Sequence, residues 1–357
     1  MIKKVILILV ITLFSNIILS QNLVNQTDSS FLKLKEFPNN TQFSIALIKD
    51  SVFQFIGFIK KNDTLKIIDN RDSLFEIGSL TKVFTATLLA NSVLDYKINL
   101  NQPINKFLPF QLNKKSKVSF IELANHSSGI SRVPSDFINS ASQNFSNPYL
   151  NYTQEMFNNY LKHDLIIPKK EHNFSYSYSN LGFAILGYSI SEVEKMSFDQ
   201  LIQTKIFDKF HMTKSYTNHL NNIKVVNGLD QKGVKTSYWN FNSSLECAGS
   251  IISNSKDLSS FIIAQMNEKN PELELTQKPT FVVSENLSIG LGWHIITDKP
   301  NEKIYWHNGA TGGFTSSIAF DKLSKKGVII LSNISFLYPN SKLIDELTFE
   351  LLEKIKN

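Results

Sequence analysis

Cysteine is almost missing from this chain of 357 residues, where Cys247 stands alone. An intrachain disulfide is therefore excluded, and the fold must rest on its own core. A cluster of thiolates able to hold zinc is excluded with it. The seven histidines form no His-Glu-x-x-His pattern, so no metal or other cofactor is expected. Beside Ala248 and Gly249, the lone cysteine reads as buried packing rather than as a nucleophile. Arginine is nearly as scarce, with only Arg71 and Arg132. Nucleic-acid surfaces favour clustered basic residues with arginine forks, and none stands out despite a formal charge of +6, so no nucleic-acid partner is expected. Repeats and low-complexity segments are missing as well.

What the chain does have is apolar material, at 42% hydrophobic residues with 27 phenylalanines, enough for a substantial core. Its first twenty residues explain themselves. Lys3 and Lys4 precede an apolar run from Val5 to Phe14, continued by Ile17 to Leu19, before Ser20-Gln21 begins a polar stretch. This is the layout of a cleaved signal peptide, too short and too interrupted for a stable membrane anchor. Its removal lowers the formal charge from +6 to +4. The expected product is periplasmic or secreted, and its oligomeric state is left open.

Hydrophobic patterning places strands near both ends. Phe43 to Ile59 reads as a hairpin turning at Lys49-Asp50-Ser51, Leu74 to Ile77 as a short strand, and Asn62 to Asn70 as a loop. Gly290 to Thr297, Ile304 to His307, Thr315 to Asp321 and Gly327 to Ser332 read as further strands. Between them lie a helix from Ser79 to about Tyr96, apolar nearly all round, and another from Leu181 to Glu194; Ser341 to Lys354 closes the chain as an amphipathic helix. The fold expected is α/β (α+β): an antiparallel sheet assembled from both termini, with flanking helices and a mainly helical insertion over roughly 97–285, all in one domain spanning 21–357.

Three fragments could carry chemistry. Ser79-Leu80-Thr81-Lys82 is a Ser-x-x-Lys motif, and residues three apart share a helix face, so the amine can reach the hydroxyl. Serine needs a base to become a nucleophile, and a lysine of lowered pKa can serve. Ser30 and Ser253 begin the same pattern, but only Ser79 follows a glycine, ends a strand-like run and opens a long buried helix. Its alternative role is a helix N-cap. Tyr178-Ser179-Asn180 is the second fragment, a polar loop emptying into an apolar helix. Tyr149, Tyr216, Tyr238 and Tyr338 start the same triplet elsewhere. The third is His307-Asn308-Gly309-Ala310-Thr311-Gly312-Gly313, whose glycines let a ligand or another backbone approach closely.

Together, in this order, the fragments resemble the serine β-lactamases, D-Ala-D-Ala peptidases and related esterases, most closely the class C branch. Phe75 to Lys82 resembles the family's nucleophile segment. Leu123 to Ile130 is similar to its His-Thr-Ser-Gly loop, and Glu246 to Leu258 to its small-residue stretch. The resemblance implies Ser79 as nucleophile and Lys82 as the group that takes its proton. It implies Tyr178 as a second acid/base with a phenol made more acidic by a Lys82 cation. Asn180 would hold Lys82 and the substrate amide, and the N–H groups of Ser79 and Ala310 would form an oxyanion hole. Where the family carries Lys-Thr-Gly, this chain has His307-Asn308-Gly309. A histidine there is mostly neutral at pH 7 but can still hydrogen-bond Tyr178 or a substrate oxygen. The expected activity is hydrolysis of a small-molecule or peptide acyl substrate, with a β-lactam, a D-peptide and an ester as the candidates. The alternative is a non-catalytic penicillin-binding or sensing module on the same fold.

Overall fold

The computed structural model describes residues 29–50, 52–112, 117–168, 175–218, 223–299 and 302–356. The leader expected over residues 1–20 lies outside them. A nine-stranded antiparallel sheet organises the molecule. Its amino-terminal strands are β1 (Gln42–Lys49), β2 (Val52–Lys61) and β3 (Thr64–Ile68). A two-residue strand, β4 (Phe75–Glu76), leads into the turn that carries Ser79 and pairs with β5 (Ile252–Ser253) as a separate small sheet. The carboxy-terminal strands are β6 (Phe281–Ser284), β7 (Leu287–Ile289), β8 (His294–Ile296), β9 (Ile304–Ala310), β10 (Thr315–Asp321) and β11 (Lys326–Ser332). The order is β3-β2-β1-β11-β10-β9-β8-β7-β6, so the two ends of the chain meet where β1 pairs with β11.

Helices cover both faces. On one side α1 (Thr81–Leu94), α2 (Phe120–Ala124), α3 (Phe137–Ala141), α4 (Gln154–His163), α5 (Asn180–Glu194), α6 (Phe198–Ile202), α7 (Ser255–Gln265) and α8 (Pro271–Thr276) build the larger helical region. The carboxy-terminal helix α9 (Leu343–Lys356) covers the other face, burying Ile344, Leu347, Leu351, Leu352 and Ile355 against Ile45, Ala319 and Ile330. That spacing of three and four residues is one stripe of a helix. By contrast α1 is buried almost all round, as its sequence requires, with Phe84 stacked on Phe261 of α7 at 4.4 Å between ring centroids. No helix among the described residues is long and apolar enough to cross a membrane.

The structure departs from the sequence reading at three places. The supposed loop from Asn62 to Asn70 contains β3, which pairs with β2 from Gly57↔Ile68 to Lys61↔Thr64. It is an edge strand open to water on one side, so its sequence carries little apolar alternation. Within Gly290 to Thr297 only His294–Ile296 is strand. Gly290 and Gly292 form a turn in which Gly292 adopts φ +79° and donates to the Ala124 carbonyl. Phe281–Ser284 and Leu287–Ile289 are short sheet strands that no strong apolar run announces.

Candidate active site

Ser79 lies in a tight turn, Gly78–Leu80, that joins β4 to α1. Gly78 takes φ +51°, a left-handed conformation that favours glycine, and its α-carbon lies so close to β9 that a Cβ there would fall 2.5 Å from the Ala310 nitrogen. Gly309 makes the reciprocal approach, where a Cβ would sit 2.0 Å from the Ile77 carbonyl oxygen. The two glycines thus press the backbone of Ala310 against the backbone around Ser79. Ser316 of β10 fastens the same contact by donating its hydroxyl to the Ile77 carbonyl at 2.9 Å.

Ser79 caps no backbone amide at the start of the helix. Its hydroxyl instead meets the amine of Lys82 one turn on, with Nζ donating to Oγ at 2.9 Å. The same amine donates to the Ala248 carbonyl at 2.8 Å. That carbonyl belongs to a turn, Ser244–Ala248, fixed to α1 by Thr85 Oγ1 donating to the Cys247 carbonyl at 2.7 Å and by the Ile251 N–H donating to Thr81 Oγ1 at 3.1 Å. Lys82 is fully buried and has no carboxylate among its hydrogen-bond partners in the described residues. Burial, helped by the nearby Arg132 charge, holds its pKa well below the ordinary lysine value. The amine beside Ser79 thus gives up its proton more readily than an ordinary lysine.

The Tyr178 ring packs against two basic side chains, with Lys82 Nζ at 4.9 Å and Arg132 Cζ at 5.0 Å from its centroid. His126 packs on it at 4.4 Å between ring centroids. A phenol made more acidic by a Lys82 cation is not what this packing produces. Burial raises the Tyr178 pKa, outweighing the opposite pull of Ser79 and Arg132. Asn180 also departs from its expected contact. The two hydrogen-bond acceptors of Lys82 are Ser79 and Ala248, while Asn180 Oδ1 is buried without a partner among the described residues.

His307 is set back from the cleft. It is fully buried on the inner face of β9, and its Nδ1–H donates to the Asn308 carbonyl at 2.6 Å. Its other nitrogen has no partner among the described residues, and its ring centroid is 6.4 Å from that of Tyr178. Burial and the neighbouring His294 keep it well below the ordinary histidine pKa, so it is neutral. No hydrogen bond joins His307 to Tyr178 among the described residues. Asn308 faces the other way and donates to Asp345 of α9 at 2.7 Å.

These elements enclose a cleft of about 550 Å³. Ser79, Tyr178, Asn180, Asn308, Gly309 and Ala310 line it. A wall of aromatic rings that the sequence does not announce completes it: Tyr149 lies 5.1 Å from Trp239 and 4.3 Å from Phe241, centroid to centroid. Glu76 holds this wall, accepting from the Trp239 N–H at 2.7 Å and from Thr311 Oγ1 at 2.6 Å. Arg132 stands at the mouth, and its scarcity was the only sequence signal it carried. The rival motifs lead elsewhere. Ser30 and Lys33 both bond Glu350, and Ser253 bonds Ser215 while Lys256 faces Asp72. Cys247 is packing: a Cβ on Gly187 of α5 would fall 2.3 Å from its sulfur, and burial drives its pKa upward, away from the reactive thiolate.

The Beta-lactamase family model matches residues 67–353. Among curated proteins the chain is similar to Protein flp of Staphylococcus aureus (strain COL), with 24% identity over 323 residues, covering 87% of this chain and 62% of that protein. The chain thus spans less than two thirds of the length of that relative. Among solved structures it is similar to a Beta-Lactamase/D-Alanine Carboxypeptidase from Pseudomonas syringae (TM-score 0.77, 20% identity, 93% of this chain and 99% of that one). A class C beta lactamase from Rhodobacter sphaeroides is equally near (TM-score 0.77, 19% identity, 93% and 100%). With the family model spanning most of its length and its fold shared with these enzymes, this chain belongs to the β-lactamase family of serine hydrolases.

Proposed function

We propose that this protein is an exported acyl-enzyme hydrolase that uses Ser79 to cleave an amide, β-lactam or ester bond. The observation that carries the reading is the 2.9 Å contact between Ser79 Oγ and the buried amine of Lys82, whose pKa burial lowers, at an open cleft that Ser79 lines. A neutral Lys82 can take the hydroxyl proton as Oγ attacks the substrate carbonyl. The carbonyl oxygen, now negative, sits against the N–H groups of Ser79 and Ala310, which Gly78 and Gly309 bring together; each such donor is worth about 2.7–4 kcal/mol in the transition state. As the bond to the leaving atom breaks, the neutral Tyr178 hydroxyl gives that atom its proton and recovers one from Lys82. Water then attacks the acyl-Ser79 ester, gives up a proton to Lys82, and the acid leaves as Ser79 regains its hydrogen.

The raised Tyr178 pKa fits this order of events, because a protonated phenol is ready to donate. The aromatic wall of Tyr149, Trp239 and Phe241 favours a flat or apolar group on the substrate. The test is turnover of a penicillin, a D-Ala-D-Ala peptide and a simple aryl ester by the wild-type protein and Ser79→Ala. Ser79-dependent hydrolysis of any one supports the reading. Equal hydrolysis by both proteins overturns it, and a lasting Ser79 adduct without turnover marks a penicillin-binding or sensing module instead.

A further inference from the structure

A second cavity, of about 950 Å³, is larger than the cleft and shares one chain segment with it: Tyr238 lines the cavity, and the next residue, Trp239, lines the cleft. Its walls come from distant parts of the chain, namely the start of β1, the end of β2 and the segment from Ile223 to Lys235. Asn333, only 2% exposed, ties them together. Its Nδ2 donates to the Asn40 and Asn227 carbonyls at 3.3 and 2.7 Å, and its Oδ1 accepts from the Gln42 N–H at 2.6 Å. Its own carbonyl accepts from the Leu229 N–H at 2.9 Å. The Tyr238 hydroxyl braces the wall by donating to the Val225 carbonyl at 3.0 Å, and the Val226 N–H donates to the Leu74 carbonyl at 2.9 Å. Hydrogen bonds between these walls therefore hold the hollow open.

Its charge is of one sign. Lys61, Lys224 and Lys235 line it, all three exposed, and no aspartate or glutamate stands among the described lining residues. None of the three pairs with a carboxylate among the described residues, whereas Lys60, Lys97, Lys209 and Lys299 elsewhere each meet one. Like charges gathered around one hollow repel, and a bound anion relieves that repulsion. The side-chain amides of Gln42 and Asn227 have no hydrogen-bond partner among the described residues, and Ser73 adds a hydroxyl. Such groups pair with the hydroxyls of a sugar, while an aromatic ring such as that of Tyr238 receives its apolar face. The volume lies in the range of small-molecule sites.

We propose that this cavity is a second ligand site, for an anionic saccharide of disaccharide size, and that its occupation is transmitted to Trp239 through Tyr238. The route is short. Tyr238 is bonded to Trp239, whose N–H is held by Glu76 of β4, three residues before Ser79. The site needs no catalysis, so it stands apart from the hydrolase reading.

The probes are the sulfated disaccharide of chondroitin, which carries a carboxylate and a sulfate, neutral N,N′-diacetylchitobiose, and inorganic sulfate, which has charge alone. Binding is read by calorimetry and by tryptophan emission. The proteins are wild type, Ser79→Ala, Arg132→Gln, Trp239→Phe and two triple variants at Lys61, Lys224 and Lys235, one all Gln and one all Arg. The charged disaccharide should bind more tightly than either control, and equally to Ser79→Ala and Arg132→Gln. Its affinity should fall about tenfold or more in the all-Gln variant, at an unchanged melting temperature, and return in the all-Arg variant. Added salt should weaken it. Emission should change on binding in wild type and not in Trp239→Phe, which still binds. Absence of binding, or equal binding to the all-Gln variant, overturns the proposal. Loss of binding in Arg132→Gln places the saccharide in the cleft and overturns it too. Sulfate as tight as the disaccharide means an adventitious ion only, and chitobiose as tight means that charge plays no part. Binding that follows the lysines without a change in emission overturns the link to Trp239. None of these results depends on whether Ser79 is acylated.

Discussion

Gly309 passes Ile77 so closely that one added carbon would come within 2.0 Å of the Ile77 carbonyl oxygen. This contact between β9 and the turn ahead of α1 sets the spacing between the Ala310 backbone and Ser79. Gly309→Ala must push the two apart, because the obstacle is backbone and cannot rotate away. Overpacking of this kind costs about 1–3 kcal/mol or more. The expected result is a lower melting temperature together with acylation slowed by about a hundredfold or more, as loss of one oxyanion donor implies. Normal acylation in a destabilised Gly309→Ala protein would show that the glycine serves packing alone.

Lys82 sets a second expectation. Burial lowers the Lys82 pKa on folding, so the folded chain gives up this proton at a lower pH than the unfolded chain does. Stability therefore rises with pH across the interval from the lowered folded pKa up to the unfolded value of about 10.4. Lys82→Met removes this slope and abolishes turnover. Urea unfolding of both proteins from pH 6 to pH 9 tests it. The wild type should gain stability relative to Lys82→Met as pH rises, and parallel curves would mean that Lys82 is charged in the folded protein.

Three imidazoles, His126, His294 and His307, are buried and held neutral around Tyr176 and Tyr178. Burial lowers all three, and His294 is pushed down to about 4. In the unfolded chain each takes up a proton near pH 6.5. Acid therefore favours the unfolded state from about pH 6.5 downward, and the His294 share is fully lost below about 4. The denaturation midpoint should fall steeply between pH 7 and pH 4.5, and less steeply in His294→Gln. An equal fall in both would assign the acid sensitivity to other groups.

Much of this was legible in the sequence, for local reasons. Ser79 and Lys82 are three residues apart at a helix start, so their meeting is a property of the helix. Thr315–Asp321 and Asn180–Glu194 stand out because strong apolar patterns fill them. What was illegible depends on partners far along the chain. β3 is an edge strand with a polar sequence, so only its pairing with β2 reveals it. The direction of the Tyr178 pKa follows from burial, with His126 packed on its ring, which no motif encodes. His307 was readable as a departure from Lys-Thr-Gly, but its withdrawal from the cleft follows from its position on the inner face of β9. Arg132 belongs to no periodic pattern, and its place over Tyr178 comes from its backbone bonds to α5.

The central claim is that Ser79 is the atom acylated. The most direct measurement is the intact mass of the protein after brief exposure to a penicillin or to a simple aryl ester, with acid quenching and peptide mapping of any adduct, beside the Ser79→Ala protein. The account predicts a single acyl adduct on the peptide containing Ser79, transient where turnover occurs, and none in Ser79→Ala. An adduct mapped to another residue, or hydrolysis undiminished in Ser79→Ala, would contradict it.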